Sequence, residues 1–233
     1  MGSSRLPGKV LLPAAGKPML DHLLSRLQAV AAIDEIVLAT TVETDDDQLE
    51  SWAAERGITS FRGSSSDVMG RVLGAGKATD ADVILEITGD CPLLDPSIAE
   101  LAVQTYLNNS ADYVSNSIAR TYPDGMDVQV FSLEVLERSY SMTTDALDLE
   151  HVTRHIQRNP DMFSHLNLIA PLAERWPGLG LTLDERSDYD LITSVLEHFG
   201  DVQLFGCADI VALLRRRTDL YKLNSHVVRK GSD

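Results

Sequence analysis

The stretch ADVILEITGDCPLLDP, residues 81–96, joins the clearest strand pattern of the chain to the start of a helix. Apolar and β-branched residues dominate 81–90, which predicts a buried strand. Asp95 and Pro96 then suit the N-cap and the first position of a helix over 95–109. A strand that leads directly into a helix is the repeating unit of parallel α/β sheets.

The same alternation extends back to the beginning of the chain. Apolar residues at helical spacing predict helices over 17–31, 45–57 and 64–79, and apolar runs predict strands over 35–42 and 58–63. Because strands and helices alternate, the sequence predicts a mostly parallel sheet covered by helices on both faces.

The regular alternation of predicted strands and helices ends after residue 110. Strands are predicted over 111–116, 126–133, 165–171 and 178–184, and helices over 133–141, 148–159 and 187–200, the last with Ser187 as its N-cap. We find no internal repeat and no linker. We therefore expect a single α/β domain over residues 1–233, with an inserted excursion at about 115–170.

The composition excludes several classes of partner. The chain has 233 residues and a formal net charge of −15, so it should repel nucleic acid and anionic lipid. It contains no apolar run long enough to span a bilayer and no secretory signal pattern. Its two cysteines, Cys91 and Cys207, form neither a metal-binding pair nor a disulfide framework, which favours the cytoplasm.

The opening loop, MGSSRLPGK at residues 1–9, combines glycines, hydroxyls and cations. Five residues separate Gly2 from Gly8, and no Ser or Thr follows Lys9, so it is not a Walker A loop. Its backbone amides, its hydroxyls and the charges of Arg5 and Lys9 could still bind an anion. A surface turn rich in Gly and Pro is the alternative.

Two aspartates follow predicted strands. Asp90 ends the strand over 81–90, and Asp184 ends the one over 178–184. Ligands of open parallel sheets bind beyond the carboxyl ends of the strands, and Mg²⁺ is typically held by one or two carboxylates beside substrate phosphates. The two aspartates could share one metal ion, although each could also be an ordinary turn residue or N-cap.

EHVTRHIQRN, residues 150–159, places His151 and His155 four residues apart on a predicted helix. The general-base glutamate of zinc helices is absent, because Val152 follows His151. Binding of a substrate anion by His151, Arg154 or His155 is favoured over zinc, and a plain helix face is a further alternative.

Several segments together resemble one known family. They are GSSRLPGKVLLPAAGKPMLDHLLSRL, EIVLATT, FRGSSSDVMGR, ITGDCPLLDP, YVSNSIARTYPDGMDVQVFS, EHVTRHIQRNP and LTLDERSDYDLI. In this order they resemble the cytidylyltransferases that make CMP-activated acidic sugars, a group that includes CMP-Kdo and CMP-sialic acid synthetases. The similarity is greatest to the branch of the spore-coat polysaccharide biosynthesis protein F, and it covers nearly the whole chain.

The resemblance implies a Rossmann-like nucleotide-diphospho-sugar transferase fold, a three-layer sandwich of GT-A type. It implies Mg²⁺-dependent transfer of CMP from CTP to an acidic sugar, with release of pyrophosphate, for surface polysaccharide biosynthesis by a cytoplasmic homodimer. Two other hypotheses remain open, namely a glycosyltransferase that uses a ready-made sugar nucleotide and a degenerate, non-catalytic nucleotide-binding protein.

The resemblance also implies roles for individual residues. Lys9, Asp90 and Asp184 would be catalytic, and the two aspartates would hold Mg²⁺. The nucleotide would be bound by Ser3, Ser4, Arg5, Lys9, Arg62, Asp67 and Arg71. The sugar would be bound by Asn116, Arg120, Tyr122, Asp127, His151 and Arg154.

The chain departs from the family pattern in two places. The segment LTLDERSDYD, residues 181–190, lacks the usual Thr-Pro after its first aspartate. Relatives also begin with an apolar strand and then an Ala-Arg or similar pair before this loop, and Met1 falls where relatives have the residue just after that arginine. We therefore expect the first strand of the sheet to be missing, and we expect the true start to lie upstream.

Overall fold

The computed structural model describes residues 1–3, 5–200 and 204–228. The helices, in chain order, are α1 (Met19–Leu27), α2 (Asp47–Glu55), α3 (Val68–Ala78), α4 (Pro96–Leu107), α5 (Leu133–Met142), α6 (Ala146–Glu150), α7 (Arg154–Arg158), α8 (Arg186–Phe199), α9 (Cys207–Arg216) and α10 (Thr218–Tyr221). None of these described helices is both long and apolar enough to cross a bilayer.

The strands are short. They are β1 (Pro13–Ala14), β2 (Lys17–Pro18), β3 (Val37–Thr41), β4 (Thr59–Gly63), β5 (Val83–Glu86), β6 (Tyr113–Ser115), β7 (Gln129–Ser132) and β8 (His165–Asn167). Every helix and strand predicted before residue 110 is confirmed, with ends trimmed by a few residues. Asp95 accepts hydrogen bonds at the start of α4, as its position before Pro96 predicts.

The strand pairing is mixed. β3 and β4 pair in parallel, with Val37 opposite Thr59. A second sheet has the order β5-β7-β6-β8, in which β6 and β8 are parallel and β7 is antiparallel to both of its neighbours. β7 belongs to the predicted excursion, so the antiparallel pairs arise where that segment returns and inserts itself between β5 and β6.

Helical layers cover both faces of the sheet. Side chains of successive strand residues point to opposite faces, so Val114 and Val130 belong to one hydrophobic cluster while Tyr113 and Phe131 belong to another. The larger cluster packs against α1, α2, α4, α8 and α9, and the smaller one against α3, α5 and α7. The three-layer α/β fold is thus confirmed.

The two groups of strands are separated by a gap. Within the described residues, β3 pairs only with β4, and β5 pairs only with β7. A cavity of about 340 Å³ lies between their carboxyl ends, lined by Thr40 and Thr41 on one side and by Gly89 and Asp90 on the other. The missing first strand and the upstream start both stay predictions.

The strand predicted over 178–184 is wrong, although its apolar residues are buried. Only Gly180 forms an isolated bridge, with Asp124. The neighbouring amides bond to two other loops, Leu181 N to Asp124 O at 2.7 Å and Leu183 N to Asp90 O at 2.8 Å. Because the segment finds its partners in loops, it is extended and buried without joining a sheet.

The helix predicted over 148–159 is also wrong, because it is broken. α6 ends at Glu150 and α7 begins at Arg154, with Val152 between them at a φ of 27°. His151 and His155 therefore do not share one helix face. The cap of α8 is likewise not Ser187, since Glu185 and Asp188 form a reciprocal capping box there.

Candidate active site

The loop before Lys9 folds back on Met1. The carbonyl of Met1 accepts hydrogen bonds from the amides of Ser3 at 3.1 Å and Gly8 at 3.3 Å. Gly8 has a φ of 68°, in the left-handed region that favours glycine. This turn delivers Lys9 as the first residue of a short 3-10 helix, Lys9–Leu11, with its side chain directed at the aspartates.

Lys9 bridges the two aspartates that the sequence singles out. Its Nζ lies 2.7 Å from Asp90 Oδ2 and 3.2 Å from Asp184 Oδ1. Burial by itself would lower the pKa of Lys9, but the two carboxylates outweigh it and the pKa is raised. Burial opposes ionisation of Asp184 as well, yet Lys9 and Arg5 keep its pKa below the ordinary value. Lys9 and Asp184 are therefore both charged at neutral pH.

The two aspartates are held together by their backbones. The amide of Leu183 donates to the carbonyl of Asp90, which ties the loop after β5 to the loop before α8. Asp188, fully buried in the first turn of α8, accepts hydrogen bonds from the amides of Asp184 at 3.1 Å and Glu185 at 2.8 Å. The backbone of Asp184 is thus fixed at the N-terminus of α8.

Arg5 adds a second cation at the rim. Its guanidinium lies 3.0 Å from Asp184 and 3.2 Å from Glu185. The predicted cluster of Arg5, Lys9, Asp90 and Asp184 is therefore assembled from three distant parts of the chain.

The carboxylates of Asp90 and Asp184 are compatible with a role as ligands of Mg²⁺. Among the described residues, no three His, Cys, Asp or Glu side chains are grouped so that they could hold a metal by themselves. Asp90 and Asp184 nevertheless turn one oxygen each to the same ammonium group, so a cation already stands between them. Two carboxylates completed by phosphate oxygens are a common arrangement for this ion.

The cavity between β3 and β5 opens beside this cluster. Lys9 and Asp90 line it, together with Met1, Val10 and Arg71. Within the described part of the chain, the buried Nε of Arg71 has no hydrogen-bond partner. Burial also lowers the pKa of Arg71. Arg71 is thus a cation in the wall of the cavity.

The other predicted nucleotide-binding residues have structural partners. Arg62 donates to the carbonyls of Thr41 and Glu43, both at 2.8 Å, and pairs with acidic residues of α2. Asp67 caps α3 and accepts a hydrogen bond from Tyr140 at 2.7 Å. Ser3 accepts one from the amide of Leu6, and Ser4 lies outside the described residues.

Among the residues predicted to bind the sugar, Arg120 and Asp127 remain candidates for that role. The guanidinium of Arg120 bonds both carboxylate oxygens of Asp127, at 2.6 and 2.5 Å, and lies 3.5 Å from Asp124. These carboxylates reinforce the charge of Arg120 and, against the effect of burial, raise its pKa. All three residues are only partly buried.

Asn116 and Tyr122 are buried for structural reasons. The amide of Asn116 donates to the carbonyl of Met126 at 2.7 Å and accepts from the amide of Val128 at 3.0 Å, which shapes the loop before β7. Tyr122 is 2% exposed within the larger hydrophobic cluster, where burial raises its pKa to about 12. Neither geometry presents a side chain to a ligand.

His151 and Arg154 lie at the break between α6 and α7. His151 is exposed. Arg154 pairs with Asp148 and lies 3.8 Å from Asp145. No contact among the described residues links either side chain to Lys9.

Sequence reasoning missed two supporting residues. Glu86, at the end of β5, lies opposite Gln129 of β7 and accepts a hydrogen bond from its amide. Asp188 holds the loop of Asp184. A carboxylate at the end of an otherwise apolar strand is a signal that could have found Glu86, whereas the role of Asp188 depends on contacts.

Comparisons with known proteins point to one family. The family model described as cytidylyltransferase matches residues 1–203. The chain is 30% identical to the spore coat polysaccharide biosynthesis protein SpsF of Bacillus subtilis, over 94% of this chain and 92% of that one. It is 31% identical to an 8-amino-3,8-dideoxy-manno-octulosonate cytidylyltransferase of Shewanella frigidimarina, over 48% of this chain and 46% of that one.

One solved structure is similar to this chain along nearly the whole length of both chains. The structure of a cytidylyltransferase from Leptospira borgpetersenii superposes with a TM-score of 0.90 and 31% identity, over 95% of this chain and 92% of that one. The matching family model, the full-length relative and this fold lead to one conclusion: the chain belongs to the cytidylyltransferase family.

Proposed function

We propose that this protein transfers CMP from CTP to an acidic sugar of the Kdo or sialic acid kind, with release of pyrophosphate. The observation that carries the proposal is the cluster of Lys9, Asp90 and Asp184 beside the cavity between β3 and β5. The family supplies the nucleotidyl transfer, and the choice of CTP and of the sugar is our inference.

A triphosphate needs local positive charge in a protein whose net charge is −15. Lys9 provides it in the wall of the cavity, and Arg5 adds a second cation beside Asp184. Arg71 lines the same cavity, so its guanidinium is a further cation that could contact the nucleotide.

Asp90 and Asp184 are the residues that would hold Mg²⁺. When bound, such an ion neutralises phosphate charge and orients the triphosphate. This chain then contributes positioning and electrostatic stabilisation, which dominate catalysis in phosphoryl-type transfers.

The reaction is a displacement at the α-phosphorus. A hydroxyl oxygen of the sugar forms the new bond to phosphorus, the bond to the bridging oxygen of the β-phosphate breaks, and the hydroxyl proton passes to solvent. Negative charge grows on the departing pyrophosphate, where the ammonium group of Lys9 can stabilise it.

For the sugar, we assign Arg120 as the cation that faces a carboxylate. A guanidinium binds carboxylates through two parallel hydrogen bonds, and Arg120 already makes this contact with Asp127. Relatives that act on octulosonate sugars support an acidic substrate.

The test is pyrophosphate release from CTP, Mg²⁺ and a panel of 3-deoxy-2-keto sugar acids, with ATP, GTP and UTP in parallel. We expect release with CTP and at least one sugar acid. Asp90→Asn and Asp184→Asn should lower kcat/KM by about 100-fold or more, because each removes one charge from the site.

Asp219→Asn is the matched control. Asp219 pairs with Arg217 on the surface, so the same chemical change there should leave the rate unaltered. Absence of pyrophosphate with every sugar acid would contradict the proposal, and turnover of a ready-made sugar nucleotide would replace it with a glycosyltransferase.

Two broader predictions accompany this function. Cytoplasmic location is supported by two buried, free thiols, Cys91 and Cys207. A homodimer stays a prediction that a sedimentation experiment can test.

A further inference from the structure

The two carboxylates proposed to hold the metal are already engaged by a side chain of the same protein. We propose that Lys9 is a competing counter-ion, which keeps divalent cations off Asp90 and Asp184 until a triphosphate draws it away. The inference rests on the proposed function, because it concerns the order in which metal and nucleotide enter that site.

Lys9 and a divalent cation would compete for the same two carboxylate oxygens. Lys9 Nζ contacts Asp90 Oδ2 at 2.7 Å and Asp184 Oδ1 at 3.2 Å, and these are the oxygens that face one another across the site. The side chains are 15%, 24% and 22% exposed respectively, so water screens the contact only in part. A metal ion that took both oxygens would displace the ammonium group.

The backbone prevents the pair from simply opening. The hydrogen bond from Leu183 N to Asp90 O joins the two loops, and Asp188 fixes Asp184 at the start of α8. The backbones of the two aspartates cannot move apart to admit a second cation without breaking these bonds. A divalent ion placed beside the ammonium group would also meet direct charge repulsion.

Lys9 itself is the movable part. Its ammonium group ends a flexible four-carbon chain, whereas the backbone beneath it is fixed in a 3-10 turn. A triphosphate offers several anionic oxygens at the loop, so Lys9 can exchange two carboxylates for phosphate. Metal and nucleotide then favour each other's binding, and by linkage the effect is reciprocal.

The experiment measures Mn²⁺ affinity of the full chain without nucleotide, by the electron paramagnetic resonance signal of free Mn²⁺. We expect weak binding by the wild type and about tenfold tighter binding by Lys9→Met, a factor within the usual range of coupling between sites. Lys9→Arg keeps the positive charge and should stay as weak as the wild type.

The controls separate the competition from other effects. Lys17→Met removes the same charge from a partly exposed site that contacts Ser25, and it should leave Mn²⁺ affinity unchanged. Lys9→Gln provides a second neutral variant if the methionine variant fails to fold. Asp184→Asn combined with Lys9→Gln should abolish the gain.

Equal Mn²⁺ affinity of the wild type and of both neutral variants would overturn the proposal, and so would an absence of binding in all of them. Neither result bears on CMP transfer, because pyrophosphate release is measured separately. Tight binding by the wild type without nucleotide would also overturn it.

Discussion

Glu86 is a titratable residue near the site whose pKa is strongly shifted. It ends the apolar strand β5 and accepts a hydrogen bond from Gln129, which belongs to a polar network with Tyr113, Thr153 and Gln157. Burial, together with the negative charges of Asp90 and Asp127, raises the pKa of Glu86 to about 7 against the effect of that hydrogen bond. Its proton is therefore held more tightly in the folded chain than in the unfolded one.

This shift predicts a pH dependence of stability. Since the pKa is raised on folding from 4.5, the contribution of Glu86 is fully present below about pH 4.5 and is lost as the pH rises through about 7. One such group changes the free energy of unfolding by at most about 1.4 kcal/mol per unit of pH. Glu86→Gln should flatten the slope between pH 5 and 7, as urea titrations at several pH values would measure.

Glu137→Gln is the matched control, because Glu137 is exposed and pairs with Lys77 on the surface. It should preserve the wild-type slope. If Glu86→Gln keeps the slope as well, another group is responsible.

At the scale of elements, Asp95 joins two helices. Its Oδ1 accepts a hydrogen bond of 2.8 Å from the amide of Ser97 at the start of α4. Its Oδ2 accepts one of 2.6 Å from the amide of Cys207 at the start of α9. The residue is 6% exposed, so its loss would leave buried donors without partners.

We therefore expect Asp95→Ala to lower the free energy of unfolding by about 2 kcal/mol, since each lost cap costs about 1 kcal/mol. Urea denaturation monitored by circular dichroism would measure it. Asp145→Ala removes the cap of the short, exposed helix α6 and should cost less than about 1 kcal/mol. Equal losses in the two variants would show that Asp95 does not act as a double cap.

At the scale of the whole molecule, a residue near the end of the chain supports the site. The side-chain amide of Asn224 donates to Asp188 at 2.8 Å and to the carbonyl of Gly180 at 2.9 Å. Asp188 in turn holds Asp184, so the segment after α10 braces the loop that carries a proposed metal ligand.

Asn224→Ala should lower the free energy of unfolding by about 1–3 kcal/mol, because it leaves buried acceptors without this donor. It should also slow pyrophosphate release, since Asp184 loses part of its support. Asn108→Ala, at the exposed end of α4, is the matched control and should change neither quantity by much. A wild-type rate in a destabilised Asn224→Ala would show that the brace serves stability alone.

Much of the fold could be predicted because its signals are local. The spacing of apolar residues locates α1 to α4, and residue type places Asp95 at a cap, since both depend on neighbours within a few positions. The predictions of a strand over 178–184 and of a helix over 148–159 are wrong, because no local pattern of apolar residues determines the structure of these segments. The first is buried by loops that follow residues 90 and 124, and the second is interrupted by a left-handed residue at position 152.

Some features of the candidate site could likewise be predicted from the sequence, and others could not. By itself the sequence determined the α/β alternation, the strand-end position of Asp90 and, through the family resemblance, the choice of Lys9 and Asp184 as candidate site residues. Only the tertiary structure decided that Lys9 bridges the two aspartates and that Arg71 keeps a buried donor unpartnered among the described residues. These facts depend on distances between residues up to 175 positions apart. Such distances are set by the packing of three layers and not by any local pattern.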